Sequence, residues 1–152
     1  MDIKTIAVIG AGAMGNGVAQ VSAAAGYQVV LNDITDAALT KAMATVEKNL
    51  SKLASKGKLS EDDVKSTLAN IKTPTSLEEA CKDADLLVEC VFENLELKKK
   101  MFADFERICK PECILGTNTS AIPVTEIASA TTRGDKVIGI HFMNPVPLMK
   151  GV

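Results

Sequence analysis

The chain has no tryptophan, one tyrosine and four phenylalanines among its 152 residues. So sparse an aromatic complement argues against a surface on which nucleic-acid bases stack. Neither sign of charge dominates: 17 Lys and Arg stand against 19 Asp and Glu, a formal net charge of −2. Proteins that coat nucleic acid or an anionic membrane need a cationic excess, so both partners are excluded on charge. No stretch approaches the roughly 18 unbroken apolar residues that a membrane span requires. Met1-Asp2-Ile3-Lys4 has no basic segment leading into an apolar run, as a secretory signal would. Cysteine is limited to Cys81, Cys90, Cys109 and Cys113, and histidine to His141. Cys109 and Cys113 are spaced to face one ligand, but with no second pair and one histidine a metal site is not expected. The four read as reduced, partly buried thiols of a cytoplasmic protein.

At 47% apolar and 24% charged, what remains is an ordinary globular composition, of a length that favours one domain. Short apolar runs alternate with helical patterns. Strands are expected at Lys4 to Ile9, Tyr27 to Asn32, Asp85 to Val91, Cys113 to Thr117 and Lys136 to His141. Helices are expected over Ala13 to Ala25, with Gly26 as the stop, over about Asp36 to Ser55, and from Ser60 to about Asn70. The starts Ser60-Glu61-Asp62-Asp63 and Ser76-Leu77-Glu78-Glu79 have the form of capping boxes. Asn94 to Lys110 is amphipathic; its Met101, Phe102, Phe105, Ile108 and Cys109 stripe reads as core. A short helix is expected near Val124 to Ala130. Strands alternating with helices imply right-handed βαβ units and a Rossmann-type, doubly wound parallel sheet. The helical pair over about 36–70 is longer than a crossover needs and reads as a functional insertion after the second strand.

Gly10-Ala11-Gly12-Ala13-Met14-Gly15 fits GxGxxG, a weak pattern alone. Here it follows an expected strand, opens an expected helix, and is followed 18 residues beyond Gly15 by Asp33 at the end of the second strand. Gly10 permits the tight turn, Gly12 lets the backbone approach a pyrophosphate, and Gly15 allows close helix packing. The helix start offers free N–H groups to phosphate. Asp33 would accept from the adenosine ribose hydroxyls, and with no cation nearer downstream than Lys41 it favours NAD over NADP. A P-loop lacks its Gly-Lys-Ser/Thr here. A methyltransferase binding S-adenosylmethionine also places an acid at this point and stays open as a minor alternative.

A second group of polar residues follows the later strands. Thr117-Asn118-Thr119-Ser120 and His141 both lie at strand carboxyl ends, where open parallel sheets bind ligands. On spacing alone His141 reads equally as an acid/base and as a satisfied structural histidine. Ser120 alone reads as the N-cap of the following turn. Lys48, Lys52 and Lys56 share a helix face, which alone reads as a solvated surface.

Together, the glycine loop, Phe92-Glu93-Asn94-Leu95, Thr117-Asn118-Thr119-Ser120 and His141-Phe142-Met143-Asn144-Pro145-Val146-Pro147-Leu148-Met149-Lys150 resemble the 3-hydroxyacyl-CoA dehydrogenase family. The likeness is strongest to its bacterial 3-hydroxybutyryl-CoA members, and the motifs run in order along the whole chain. The resemblance implies hydride transfer between NAD(H) and C3 of a short-chain acyl-CoA, in butyrate or fatty-acid metabolism. It implies that His141 is the catalytic acid/base, that Ser120 holds the substrate oxygen, and that Glu93, Lys98 and Asn118 line the cofactor site together with Gly10 to Gly15 and Asp33. It also implies that the insertion contacts CoA through Lys56, with Asn49 where relatives can carry serine.

The family usually has Ser where Thr117 stands. It also has a glutamate orienting the histidine at the position after Val152, and an all-helical second domain that carries most of the dimer interface. Residues 1–152 therefore match its amino-terminal, dinucleotide-binding half. On that expectation His141 lacks a bond fixing its tautomer, and the chain binds NAD without turnover. A stand-alone NAD-sensing domain is the competing class; it would have no need of Ser120 and His141 together.

Overall fold

The computed structural model describes every residue from Met1 to Val152. Six strands, β1 (Thr5–Ile9), β2 (Gln28–Asn32), β3 (Ile71–Lys72), β4 (Leu86–Glu89), β5 (Ile114–Thr117) and β6 (Val137–Gly139), form one sheet. All pairings are parallel, in the order β3-β2-β1-β4-β5-β6. Six helices accompany them: α1 (Ala13–Ala24), α2 (Asp36–Ser55), α3 (Glu61–Ala69), α4 (Leu77–Cys81), α5 (Leu95–Ile108) and α6 (Val124–Ala128). From β1 the chain winds outward to β3, then returns to β4 beside β1 and winds the other way. The reversal point lies between β1 and β4, the place where open α/β sheets form a ligand crevice.

Parallel strands covered on both faces need apolar residues at every position. In β1, Ile6 and Val8 enter one core while Ala7 and Ile9 enter the other. The first core packs Val29, Leu31 and Val88 against Val18, Ala19 and Ala23 of α1 and Leu39, Val46 and Leu50 of α2. The second packs Leu87 and Leu115 against Phe102 and Phe105 of α5 and Ile127 of α6. Phe102 and Phe105 meet edge to face, ring centroids 5.2 Å apart, an arrangement worth about 1 kcal/mol beyond burial alone. The stripe read from α5 is core.

The helices start where side chains close their free N–H groups. Thr35 accepts from Ala38, Ser76 from Glu79 and Asn94 from Leu97, and Ser60 forms a reciprocal capping box with Asp63. α1 differs: Gly12 precedes it, no side chain caps it, and no acid lies in its first turn.

Two expectations need correcting. Five strands were expected and six exist, because β3 is only Ile71–Lys72. Two residues carry no readable alternation, and this strand exists through its pairing with Val29 and Val30. The last strand is also shorter than Lys136 to His141: a 3₁₀ turn takes Gly134–Lys136, and strand pairing ends at Gly139.

Candidate cofactor and catalytic site

At the carboxyl end of β1 the chain turns through Gly10 with φ at +101°, a conformation natural to glycine alone. A Cβ there would lie 2.7 Å from the Cys90 carbonyl oxygen, and one at Gly15 would lie 1.7 Å from the Gly10 carbonyl oxygen. Gly15 is thus required because the turn closes on itself; the sheet's nearest side-chain atom, Cys90 Cβ, stands 3.7 Å away. Above Gly12 there is nothing within 4 Å. Asp33 faces this loop: its Oδ2 accepts from the Ala11 N–H at 2.8 Å and its Oδ1 from the Ile34 N–H at 2.7 Å. An uncapped helix start, an open backbone at Gly12 and an anchored carboxylate fit a pyrophosphate with a ribose diol beside it.

The neighbouring strand ends are built from side chains. Glu89, the last residue of β4, is 0% exposed, and Lys98 of α5 is 1% exposed. Their ion pair measures 2.6 Å from Lys98 Nζ to Glu89 Oε1. The same oxygen accepts from the Val91 N–H at 2.7 Å, while Glu89 Oε2 accepts from the Thr117 hydroxyl at 2.7 Å. Lys98 also donates to the Val91 carbonyl at 3.4 Å and lies 3.5 Å from Glu93 Oε1 as a second ion pair. Glu93 Oε2 accepts from the Thr119 hydroxyl at 2.6 Å, and the Thr119 N–H returns to Thr117 Oγ1 at 3.4 Å. A closed ring thus joins β4, α5 and the loop after β5. A largely buried hydrogen-bonded network of this kind rigidifies what it joins. Burial, reinforced by the Glu89 charge, pushes the adjacent Cys90 thiol up to about 12, leaving it a packing group.

Lys98, expected to line the cofactor site, is buried and pairs with Glu93, whose side chain is 47% exposed. Ser120 does not cap the turn. That role belongs to Thr119, whose Oγ1 accepts from the Ile122 N–H at 3.0 Å, because its hydroxyl faces inward while Ser120 is exposed. Ser120 makes no hydrogen bond within the chain, and its hydroxyl is free for a ligand. Exposed His141 lies just beyond β6 with Nδ1 3.2 Å from the Asn118 carbonyl oxygen. Asn118 Oδ1 accepts from the Phe142 N–H at 2.8 Å.

Asn49 and Lys56 are on α2 and at its end. Asn49 donates to Gln20 of α1 at 3.2 Å, and Lys56 is exposed. No hydrogen bond links either to the strand-end groups. One residue the motifs passed over is Gly17. A Cβ there would come within 2.8 Å of Val146 Cβ, so α1 needs a bare backbone for the segment after His141 to fold back onto it. A glycine in a helix interior, costing about 1 kcal/mol against alanine, was the available signal.

The sheet order, the reversal point and the glycine loop define the class: a dinucleotide-binding α/β domain. Residues 5–152 match the family model described as 3-hydroxyacyl-CoA dehydrogenase, NAD binding domain. The chain belongs to that family and is its NAD-binding domain. It is 47% identical over 150 residues to the probable 3-hydroxybutyryl-CoA dehydrogenase of Bacillus subtilis, covering 99% of this chain and 52% of that protein. It is 45% identical to the 3-hydroxybutyryl-CoA dehydrogenase of Clostridioides difficile, covering 95% and 51%. Among solved structures, (S)-3-hydroxybutyryl-CoA dehydrogenase PaaH1 from Ralstonia eutropha superimposes with a TM-score of 0.94 at 44% identity, covering 97% of this chain and 52% of that one. The chain spans about half the length of the curated relatives it matches. No helix is long and apolar enough to cross a membrane.

Proposed function

We propose that residues 1–152 are the cofactor half of a cytoplasmic dehydrogenase that interconverts short-chain 3-hydroxyacyl-CoA and 3-oxoacyl-CoA, with 3-hydroxybutyryl-CoA as the preferred class. The observation that carries this is exposed Ser120, two residues beyond Asn118 and with no hydrogen bond to its side chain, together with the exposed His141 ring, whose Nδ1 lies 3.2 Å from the Asn118 carbonyl oxygen. They stand at the same sheet edge as the loop for NAD. Relatives named 3-hydroxybutyryl-CoA dehydrogenase support the substrate class.

In the oxidative direction His141 Nε2 takes the proton of the substrate 3-hydroxyl as the C3–O bond becomes a carbonyl. In reduction the same nitrogen returns it. A histidine suits this work because it exchanges a proton readily near neutral pH. NAD, held by the Gly10 to Gly15 loop and Asp33, would supply the hydride acceptor for C3 and, in its reduced form, the donor for the reverse reaction. Ser120 donates to the substrate oxygen and fixes its position between C3 and the ring. Glu93, held by Lys98 and Thr119, borders the cofactor, and Asp33 takes the ribose hydroxyls. Lys56 and Asn49 contact the CoA portion, for which the α2–α3 pair provides the arm.

The relatives extend beyond the matched half, and we assign to that extension the closure of the site against water and the self-association of the enzyme. Residues 1–152 alone then bind NADH without sustained turnover. The test follows NADH consumption by acetoacetyl-CoA, with residues 1–152 alone and fused to the second half of the Bacillus subtilis relative. Turnover is expected only from the fusion, and His141→Ala should abolish it while NADH affinity stays unchanged. Equal turnover by both proteins would overturn the division of labour. Full turnover by His141→Ala would overturn the assignment of the acid/base.

A further inference from the structure

We propose that Glu93 brings an unneutralised negative charge to the nicotinamide end of the cofactor and so favours its oxidised form. Buried Glu89 is the positioning residue that leaves this charge unneutralised, by claiming Lys98 for itself. Both statements rest on the NAD site proposed above, and they add a preference between the two forms of one cofactor.

The sheet decides which end of the cofactor Glu93 meets. Asn32, Ile9, Glu89, Thr117 and Gly139 are paired in register as one row across β2, β1, β4, β5 and β6. Asp33 follows the first of these and Gly10 the second. With the adenosine ribose on Asp33 and the pyrophosphate on the glycine loop, the dinucleotide runs from β2 toward β4 and β5. Its nicotinamide end is therefore on the side of Glu93 and the Thr117 to Ser120 loop.

The directions of the hydrogen bonds fix the charges there. Thr117 Oγ1 accepts from the Thr119 N–H at 3.4 Å, so its own hydrogen goes to Glu89 Oε2 at 2.7 Å. Thr119 Oγ1 accepts from the Ile122 N–H at 3.0 Å, and its hydrogen goes to Glu93 Oε2 at 2.6 Å. Both glutamates act as acceptors, as carboxylates do. One ammonium stands between them. Lys98 Nζ is 2.6 Å from Glu89 Oε1, where both side chains are buried, and 3.5 Å from half-exposed Glu93. The shorter, drier contact takes the larger share of its charge, because attraction strengthens as distance and dielectric fall. Neighbouring Lys99 is paired with Glu126, and Glu93 has no ion pair besides Lys98. Two carboxylates and one ammonium leave one negative charge, and it lies on the exposed member.

NAD⁺ and NADH carry the same phosphates and differ by one positive charge on the nicotinamide ring. A carboxylate beside that ring attracts the oxidised form alone. Passing a hydride to C3 leaves the positive charge on the ring, so Glu93 also biases the bound cofactor toward donation.

The test is a calorimetric titration of residues 1–152 and three variants with NAD⁺ and with NADH, and the readout is the ratio of the two affinities. Glu93→Gln keeps the shape and an acceptor for Thr119, and should move the ratio toward NADH about fivefold. Glu89→Gln frees Lys98 to pair with Glu93 and should move the ratio the same way, whereas a merely structural role would weaken both forms together. Asp33→Asn, on the adenosine side, should weaken both forms alike and leave the ratio where it was. An unchanged ratio in Glu93→Gln overturns the proposal, whether or not Glu89→Gln folds. An unchanged ratio in folded Glu89→Gln overturns that residue's part in it. A shift in Asp33→Asn as large as that in Glu93→Gln overturns the placement of the charge at the nicotinamide end. Binding of neither form by the unaltered chain is a separate failure, which overturns the NAD site itself and the proposal with it.

Discussion

Two halves of one sheet edge meet at the reversal point between β1 and β4, and they are made of different materials. The half assigned to the phosphates and ribose is backbone and one carboxylate: Gly10, Gly12, Gly15, the uncapped start of α1 and Asp33. The half assigned to chemistry is a web of side chains from four separate stretches: Glu89, Glu93 and Lys98, Thr117 to Ser120, and His141. The first needs bare backbone in an exact conformation, so almost any added atom harms it. The second needs complementary charges and hydroxyls, so it fails when one partner loses its counterpart.

The sharpest way to break the first half is Gly15→Ala. With a Cβ 1.7 Å from the Gly10 carbonyl oxygen, the turn must open, at about 3 kcal/mol or more of strain. NADH affinity should fall at least about a hundredfold in a calorimetric titration. Retained affinity would show that the turn is not the phosphate cradle.

For the second half, Glu89→Gln keeps shape and removes charge, stranding the buried Lys98 ammonium with only Glu93 at 3.5 Å. Removing one member of a buried pair costs about 3 kcal/mol, a large part of a typical domain's stability. Urea unfolding should show it, and adding Lys98→Met should recover much of the loss, since the two sites are coupled. Additive losses in the double variant would mean that the pair does not act as a unit.

Gly17→Ala joins the two halves and divides two opposing effects. Alanine gains about 1 kcal/mol of helix propensity, but its Cβ would meet Val146 Cβ at 2.8 Å, and overpacking costs about 1–3 kcal/mol. The clash is with a core residue, so a net loss of about 1 kcal/mol in urea is expected, with faster proteolysis of the segment after His141.

The smallest effect lies at the other end of the strands. Asp85 accepts from the Lys4 and Thr5 N–H groups and pairs with Lys110. The Lys110 bond foremost, then the backbone donors, hold its carboxyl down at about 2. Its stabilising contribution is complete above the ordinary carboxylate range and is lost as the pH falls toward about 2. Asp85→Asn should lower stability at neutral pH and flatten the acid limb of a stability–pH curve between about pH 4 and 2, leaving NADH affinity unchanged. That contrast separates a carboxylate that holds the sheet from those that serve the site.

The same division governs what the sequence reveals. Gly10 to Gly15 and Asp33 stand in a local pattern with fixed spacing, so the roles proposed for them are legible before any fold is known. The capping sequences at Ser60 and Ser76 and the α5 stripe are legible for the same reason. The resemblance to a family points to Ser120 and His141, which spacing alone leaves ambiguous. Glu89 ends an apolar run and reads as nothing in particular until Thr117 and Lys98 are brought to it from other elements. The choice of Thr119 over Ser120 for the turn depends on which hydroxyl faces inward. β3 has only two residues and exists through its neighbour. Long-range pairing decides each of these, and no local window contains it.

The most direct measurement is a calorimetric titration of residues 1–152 with NADH and then with NADPH, repeated on Asp33→Ala. The account predicts NADH binding, much weaker NADPH binding, and a loss of both affinity and discrimination when Asp33 is removed. Equal binding of the two cofactors by the unaltered chain, or binding of neither, would contradict it.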